Sequence, residues 1–191
     1  MKENPKPKQN GSGDILHELL DYLKMIAIVV VVVFVLNEFV IINAKIPSES
    51  MENTIMVGDQ IIGSRLAYVF NDPQRYDIVI FRYPDDKSQY YIKRIIGLPG
   101  DTIEITDGKV YINGSDTPLD DSFCPEVPSS RGDTEEGEVY VVPEDCYFML
   151  GDNRNVSKDS RYWNNPYVIR EDILGKAVFR YWPVTEFGLI E

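Results

Sequence analysis

Histidine is almost missing from this sequence. His17 is the single one in 191 residues, and it stands ahead of the longest apolar run. Everything after that run lacks an imidazole, which excludes a Ser-His-Asp or Cys-His site there. Cysteine is nearly as scarce: Cys124 and Cys146 are the only two. No zinc set of His and Cys ligands can be assembled from the C-terminal three-quarters of the chain, and neither a metal nor a cofactor is expected. The two thiols could be joined if that region is extracytoplasmic, or could stay free and partly buried. Positive charge is also short. With 19 Lys and Arg against 31 Asp and Glu, the net charge is -12, which repels polyanions and removes nucleic acid from the expected partners. The length fits one domain of ordinary size plus an attached segment, and no internal repeat is visible.

What the sequence does have begins with a polar tail. Residues 1–13 are rich in Lys, Asn, Pro, Gly and Ser without apolar periodicity, and read as disordered. Residues 25–36 are unbroken apolar sequence, resuming at 39–42 after Asn37 and Glu38. As a helix these 18 positions would reach about 27 Å, close to the hydrocarbon thickness of a bilayer. A cleaved signal peptide or a buried core helix are the plain alternatives. However, the run passes into Asn43, Ala44, Lys45, Ile46 and Pro47 rather than into a small-residue cleavage site, which favours an anchor. Glu38 would then sit near the outer interface, within reach of water. Counting Lys and Arg alone, Lys2, Lys6, Lys8 and Lys24 put the N-terminus in the cytoplasm. The expected organisation is therefore a cytoplasmic tail at 1–23, a transmembrane anchor at 24–43 and an extracytoplasmic β-rich domain at 44–191.

Beyond Pro47 the pattern changes to short β-rich runs at 60–62, 77–81, 90–96, 102–105, 109–112, 139–142, 147–150 and 176–181. The turns agree. Pro99-Gly100 suits a type II turn, and Asp107-Gly108 separates two runs as in a hairpin. Residues 115–137, full of Asp, Glu, Pro and Gly, read as a polar insertion forming a mobile loop or small lobe.

Without histidine, a serine nucleophile must take its base from lysine, and a lysine serves only when desolvation keeps it neutral. Lys93 lies inside the β-run 90–96, with Tyr91 and Ile95 on its face by the period-2 rule. Such a lysine either snorkels from an edge strand or is buried for a purpose. The candidate nucleophile follows the anchor in Ile46-Pro47-Ser48-Glu49-Ser50-Met51, although two serines spaced by one residue are common in loops.

Three motifs in order carry a resemblance: Ile-Pro-Ser-x-Ser-Met at 46–51, Tyr-Ile-Lys-Arg-Ile-Ile-Gly-Leu-Pro-Gly-Asp at 91–101, and Gly-Asp-Asn-Arg-x-x-Ser-x-Asp-Ser-Arg-Tyr-Trp at 151–163. Together with residues 76–81 and 175–183 they make the chain resemble the bacterial type I signal peptidase family from the anchor onward. The resemblance implies a mainly β fold, with a signal-peptidase-like antiparallel β-sheet catalytic domain preceded by one N-terminal transmembrane α-helix. It also implies a membrane-bound serine endopeptidase with a Ser–Lys dyad that removes signal peptides by acyl-enzyme chemistry. Carried over position by position, Ser50 is the nucleophile and Lys93 the general base. Ser48, beside the Ser50 backbone N–H, completes an oxyanion hole, and Ser157 orients the lysine amine. Asp159 and Arg161 are expected as a structural ion pair, and Ile46, Pro47, Met51, Ile55, Tyr91 and Ile92 as the substrate pockets.

The implied setting is a bacterial cell membrane, single-pass, with the N-terminus cytoplasmic and the catalytic domain outside. The implied partners are signal-peptide-bearing precursors and membrane lipid, and the implied state is a monomer. Two positions depart from the family pattern: Asn53 stands where proline is usual, and Asn164 follows Trp163 where glycine is usual. Two rival readings are a non-cleaving assembly factor for surface or pilus subunits and a self-cleaving repressor-type protease. Retention of Ser48, Ser50 and Lys93 argues against the first, and the anchor with the acidic charge argues against the second.

Overall fold

The computed structural model describes residues 12–124 and 137–190. The chain divides into two units, residues 1–39 and 40–191. The first is a helix, α1 (Ser12–Val35), which passes into a π-helical turn, Leu36–Val40. It starts about a dozen residues before the expected anchor. Ile15, Leu16, Leu19, Leu20 and Leu23 recur at helical spacing among good helix formers, so nothing stops the helix short of Ser12. Its 24 residues span roughly 36 Å, more than a bilayer's hydrocarbon core. None of the apolar stretch Ile15–Val40 is buried.

Among its described residues the second unit carries eleven strands. They are β1 (Ile41–Lys45), β2 (Gln60–Ser64), β3 (Ile78–Tyr83), β4 (Asp86–Gly97), β5 (Thr102–Thr106), β6 (Lys109–Ile112), β7 (Glu138–Val141), β8 (Cys146–Leu150), β9 (Tyr167–Ile169), β10 (Ile173–Trp182) and β11 (Gly188–Leu189). The larger sheet runs β1-β2-β10-β3-β4-β8-β9 with β11 on β10, and the smaller runs β6-β5-β7. All pairings are antiparallel. Ile41 and Ile42, expected in the anchor, instead pair with Ser64 and Gly63 of β2. Their β-branched side chains suit a pleated surface as well as a helix.

Alternation along the strands divides the interior. Val79 and Phe81 of β3, Ile95 of β4, and Tyr147 and Met149 of β8 pack on one face with Trp163 and Val168. Their sequence neighbours take the other face. Ile96, Phe148 and Leu150 meet Ile103, Val110 and Tyr140 of the small sheet, while Ile78 and Ile80 join Ile46, Met51, Ile55 and Ile61. A one-residue slip of β3, β4 or β8 would exchange the two sets, so the register is firmly set.

The turns take the form the sequence implies. Gly100 has φ +81° with Asp101 N–H donating to Leu98 C=O, as a type II turn requires, and Asp107 and Gly108 both have positive φ between β5 and β6. The described part of the polar insertion lies against the domain: Leu119 N–H bonds Val110 C=O, and Leu119 and Phe123 pack on the second core. The rest of that insertion, 125–136, lies outside the described residues. Cys124 and Cys146 are free thiols.

Among the described residues, two of the uncovered strand edges belong to β1 and β4. β1 ends the sheet, and β4 is paired with β8 only from Arg94 onward, so among the described residues no strand covers Tyr90–Ile92 on the side away from β3.

Candidate active site

Just past β1 the chain turns into a single 3-10 turn, Glu49–Met51. Two buried anchors, Met51 and Ile55, pull this segment into the core beside Ile46, and Ile55 N–H closes on Met51 C=O at 2.8 Å. Ser50 is thereby fixed at the domain wall and almost fully buried. Lys93 comes from the middle of β4, opposite Val79, and is only 4% exposed. Its Nζ lies 2.7 Å from Ser50 Oγ and 3.0 Å from the Ile92 carbonyl. Desolvation drives the amine from its ordinary value down to about 8, against the pull of Asp159 and Asp152, which favour the charged form. An amine poised there is largely convertible to a free base at mildly alkaline pH, with a hydroxyl already in hydrogen-bond range.

Ser48 Oγ stands 3.4 Å from Ser50 Oγ. Ser157 is brought to the same place. Its Oγ is buried beside the Asp159 carboxylate, which it helps to hold ionised, and makes no hydrogen bond to Lys93. Gly151 makes the arrangement possible: a Cβ there would collide with Ser157 Oγ and the Ser50 carbonyl oxygen. Asp159, wholly buried, receives Arg161 Nε at 2.8 Å, Arg161 Nη2 at 2.9 Å and the Gly151 N–H at 3.0 Å. Burial pushes its carboxyl up, but the Arg161 guanidinium and these hydrogen bonds outweigh that and hold it below the usual range.

Several supporting residues escaped the sequence reading. Arg94, next to Lys93 and pointing to the other face of β4, donates to Asp152 through Nε at 2.9 Å and Nη2 at 2.7 Å, and Thr54 Oγ1 donates to the same carboxylate at 2.5 Å. An arginine inside a buried β-run, with an aspartate in a distant polar motif, was a signal for this pair. The strap before Cys124 carried no such signal. Phe123 lies 4.2 Å from the Arg94 guanidinium, Asp121 takes both terminal nitrogens of Arg154, and Asn53 Nδ2 donates to the Phe123 carbonyl at 2.7 Å. Asn53 has φ +83°, which proline cannot adopt.

Two cavities share a wall of Pro47, Tyr90, Tyr91 and Ile92, and the first of them reaches Ser50 and Lys93. One, of about 580 Å³, is lined by Pro47, Ser48, Glu49, Ser50, Val57, Tyr90–Lys93, Val156 and Lys158. The other, of about 420 Å³, is lined by residues 42–47, Arg65, Ile80, Arg82, Tyr90, Tyr91, Ile92 and Leu174. Ile46, Pro47, Tyr91 and Ile92 are thus on a cavity wall. Tyr91 is braced there by stacking on Tyr83, with ring centres 4.5 Å apart. Met51 and Ile55 line neither cavity and are fully buried, because their side chains hold the 3-10 turn to the core.

Comparison with known proteins gives a consistent picture. A family model described as "Signal peptidase, peptidase S26" matches residues 19–182. A signal peptidase I of Leptolyngbya laminosa is 40% identical over 177 residues, covering 89% of this chain and 83% of that protein. A probable signal peptidase I-2 of Synechocystis sp. (strain ATCC 27184 / PCC 6803 / Kazusa) is 40% identical over 195 residues, covering 100% of this chain and 84% of that protein. The crystal structure of a signal peptidase I from Enterococcus faecalis V583 aligns at 35% identity and a TM-score of 0.46, over 56% of this chain and 97% of that one.

Proposed function

Because this chain belongs to the S26 signal peptidase family, we propose that its serine endopeptidase chemistry, the removal of signal peptides from precursor proteins, is carried by Ser50 and Lys93. The observation that carries this assignment is the 2.7 Å approach of Lys93 Nζ to Ser50 Oγ inside an apolar wall that lowers the amine to about 8.

The neutral amine accepts the Ser50 proton as Oγ attacks the scissile carbonyl. Charge then develops on the carbonyl oxygen, which the Ser48 hydroxyl and the Ser50 N–H stabilise. The Lys93 ammonium returns its proton to the leaving amine, and an acyl-enzyme forms on Ser50. Lys93, neutral again, activates a water that releases the product. Ser157 Oγ, buried beside the Asp159 carboxylate, supplies an acceptor for the ammonium while Lys93 carries the proton. The substrate enters as an extended strand between the bare edge of β1 and Tyr90–Ile92 of β4, where small residues at the first and third positions before the cut face one wall. Ile46, Pro47, Tyr91 and Ile92 line that wall.

The protein is a membrane protein with one apolar N-terminal helix among the described residues. We place residues 1–23 on the cytoplasmic side and residues 44–191 outside, with the protein a monomer anchored in lipid. The test is cleavage of a leader-bearing precursor by wild type and by Ser50→Ala, with the cut read by mass spectrometry. Wild type should cut after a small residue and Ser50→Ala should leave the precursor intact. Cleavage by the alanine variant would remove Ser50 from its role.

A further inference from the structure

Six of the eight arginines among the described residues hold a carboxylate: Arg75 with Asp101, Arg94 with Asp152, Arg154 with Asp121, Arg161 with Asp159, Arg170 with Asp72 and Arg180 with Asp59. Arg65 and Arg82 hold none among the described residues. In a chain of net charge -12 this is not for want of acids. Both line the same cavity of about 420 Å³, with Lys45 and without any acidic residue. Arg65 Nε is buried with no acceptor among the described residues, and this unpartnered N–H is a cost that a shift of the guanidinium onto an acceptor in the cavity would remove. Planar guanidinium forks match carboxylates in two-point geometry.

We infer that this end of the cavity is a subsite for an acidic side chain of the substrate, at or near the fifth residue before the cut. The inference rests on the Ser50–Lys93 reading, since it is the shared wall of Pro47, Tyr91 and Ile92 that joins the subsite to the dyad. Side chains two apart on an extended segment face the same way, and the pitch is about 3.3 Å per residue. If the third position lies against Ile92, the fifth lies against Tyr90, and Arg82 is the residue opposite Tyr90 in the β3–β4 ladder. Arg65 closes the same corner.

The test uses the full-length protein in a zwitterionic detergent with two precursor peptides that differ only in Glu or Gln at the fifth residue before the cut. Wild type should favour the Glu peptide by about tenfold in kcat/KM, mostly through KM, and the ratio should shrink as salt is raised. Arg65→Gln and Arg82→Gln should each lower the ratio, and together bring it near one. Arg82→Glu should turn the preference towards Lys at that position. A wild-type ratio near one, or a ratio the double variant keeps, overturns the subsite while leaving the enzyme intact. Cleavage of neither peptide would instead overturn the Ser50–Lys93 reading and the subsite with it. A parallel series in phosphatidylcholine vesicles with and without phosphatidylglycerol separates the other source of anions. Stimulation by phosphatidylglycerol that the double variant loses, with no Glu preference, would give the two arginines to a lipid phosphate and overturn the assignment.

Discussion

At the residue scale, Lys93 carries a cost in stability beside its proposed role as the base. Replacing it with Met, or Ser50 with Ala, should lower turnover by about 10⁴ to 10⁶, read in single-turnover cleavage. For wild type, kcat/KM should climb through pH about 8 as the amine loses its proton, and a flat profile from pH 6 to 9 would remove Lys93 as the base. The same shift bears on stability. Unfolded, the amine titrates near 10.4, so between about 8 and that value the unfolded chain binds more protons and stability rises with pH. Below about 8 the amine is charged in both states and its burial costs up to roughly 3 kcal/mol. Lys93→Met should therefore melt higher than wild type at pH 7 in calorimetry, an advantage that fades towards pH 10. Asn53 gives an independent test. Its φ of +83° and its bond to the Phe123 carbonyl mean that Asn53→Pro, the residue expected there from the family resemblance, should destabilise by about 2 kcal/mol or more, and Asn53→Gly by less.

At the scale of elements, the site is where three segments abut: the 3-10 turn bearing Ser50, the middle of β4, and the loop from Gly151 to Arg161. Gly151→Ala should disable the enzyme nearly as fully as losing the nucleophile, because a methyl there drives Ser157 and the Ser50 carbonyl apart. Circular dichroism would show the sheet retained. Phe123→Ala should cost about 1 to 3 kcal/mol by chemical denaturation, since the ring packs on Arg94 and Tyr76. Most strands were legible from the residues alone, because burial on a pleated strand imposes a period that survives in sequence, whereas Ser50 and Lys93 stood out only through the family resemblance that three motifs in order carry. The Arg94–Asp152 pair, the strap contacts and β1 were not legible. They depend on partners tens of residues away, as between Asn53 and Phe123, or on β-branched residues such as Ile41 and Ile42 that suit helix and strand alike. The helix start was missed for a different reason: polar residues within 12–23 masked a regular apolar stripe.

At the scale of the whole molecule, α1 and the β domain make separate predictions. The exposed apolar stretch Ile15–Val40 should keep the protein in the pellet after high-salt and carbonate washes of membranes and release it into detergent; release by salt alone would argue for a peripheral attachment. Protease added outside sealed cells should reach residues 44–191 and spare the N-terminal tail. The gap between β1 and the free half of β4 has one more implication. Two strand edges that no described strand covers line a single slot, which makes the resting protein prone to recruit any extended chain, another molecule of itself included. Keeping the slot filled should be a practical means of preserving the purified protein: a non-cleavable peptide at a hundred times its Kd would add about 2.7 kcal/mol and mask the very borders through which stored material would otherwise clump.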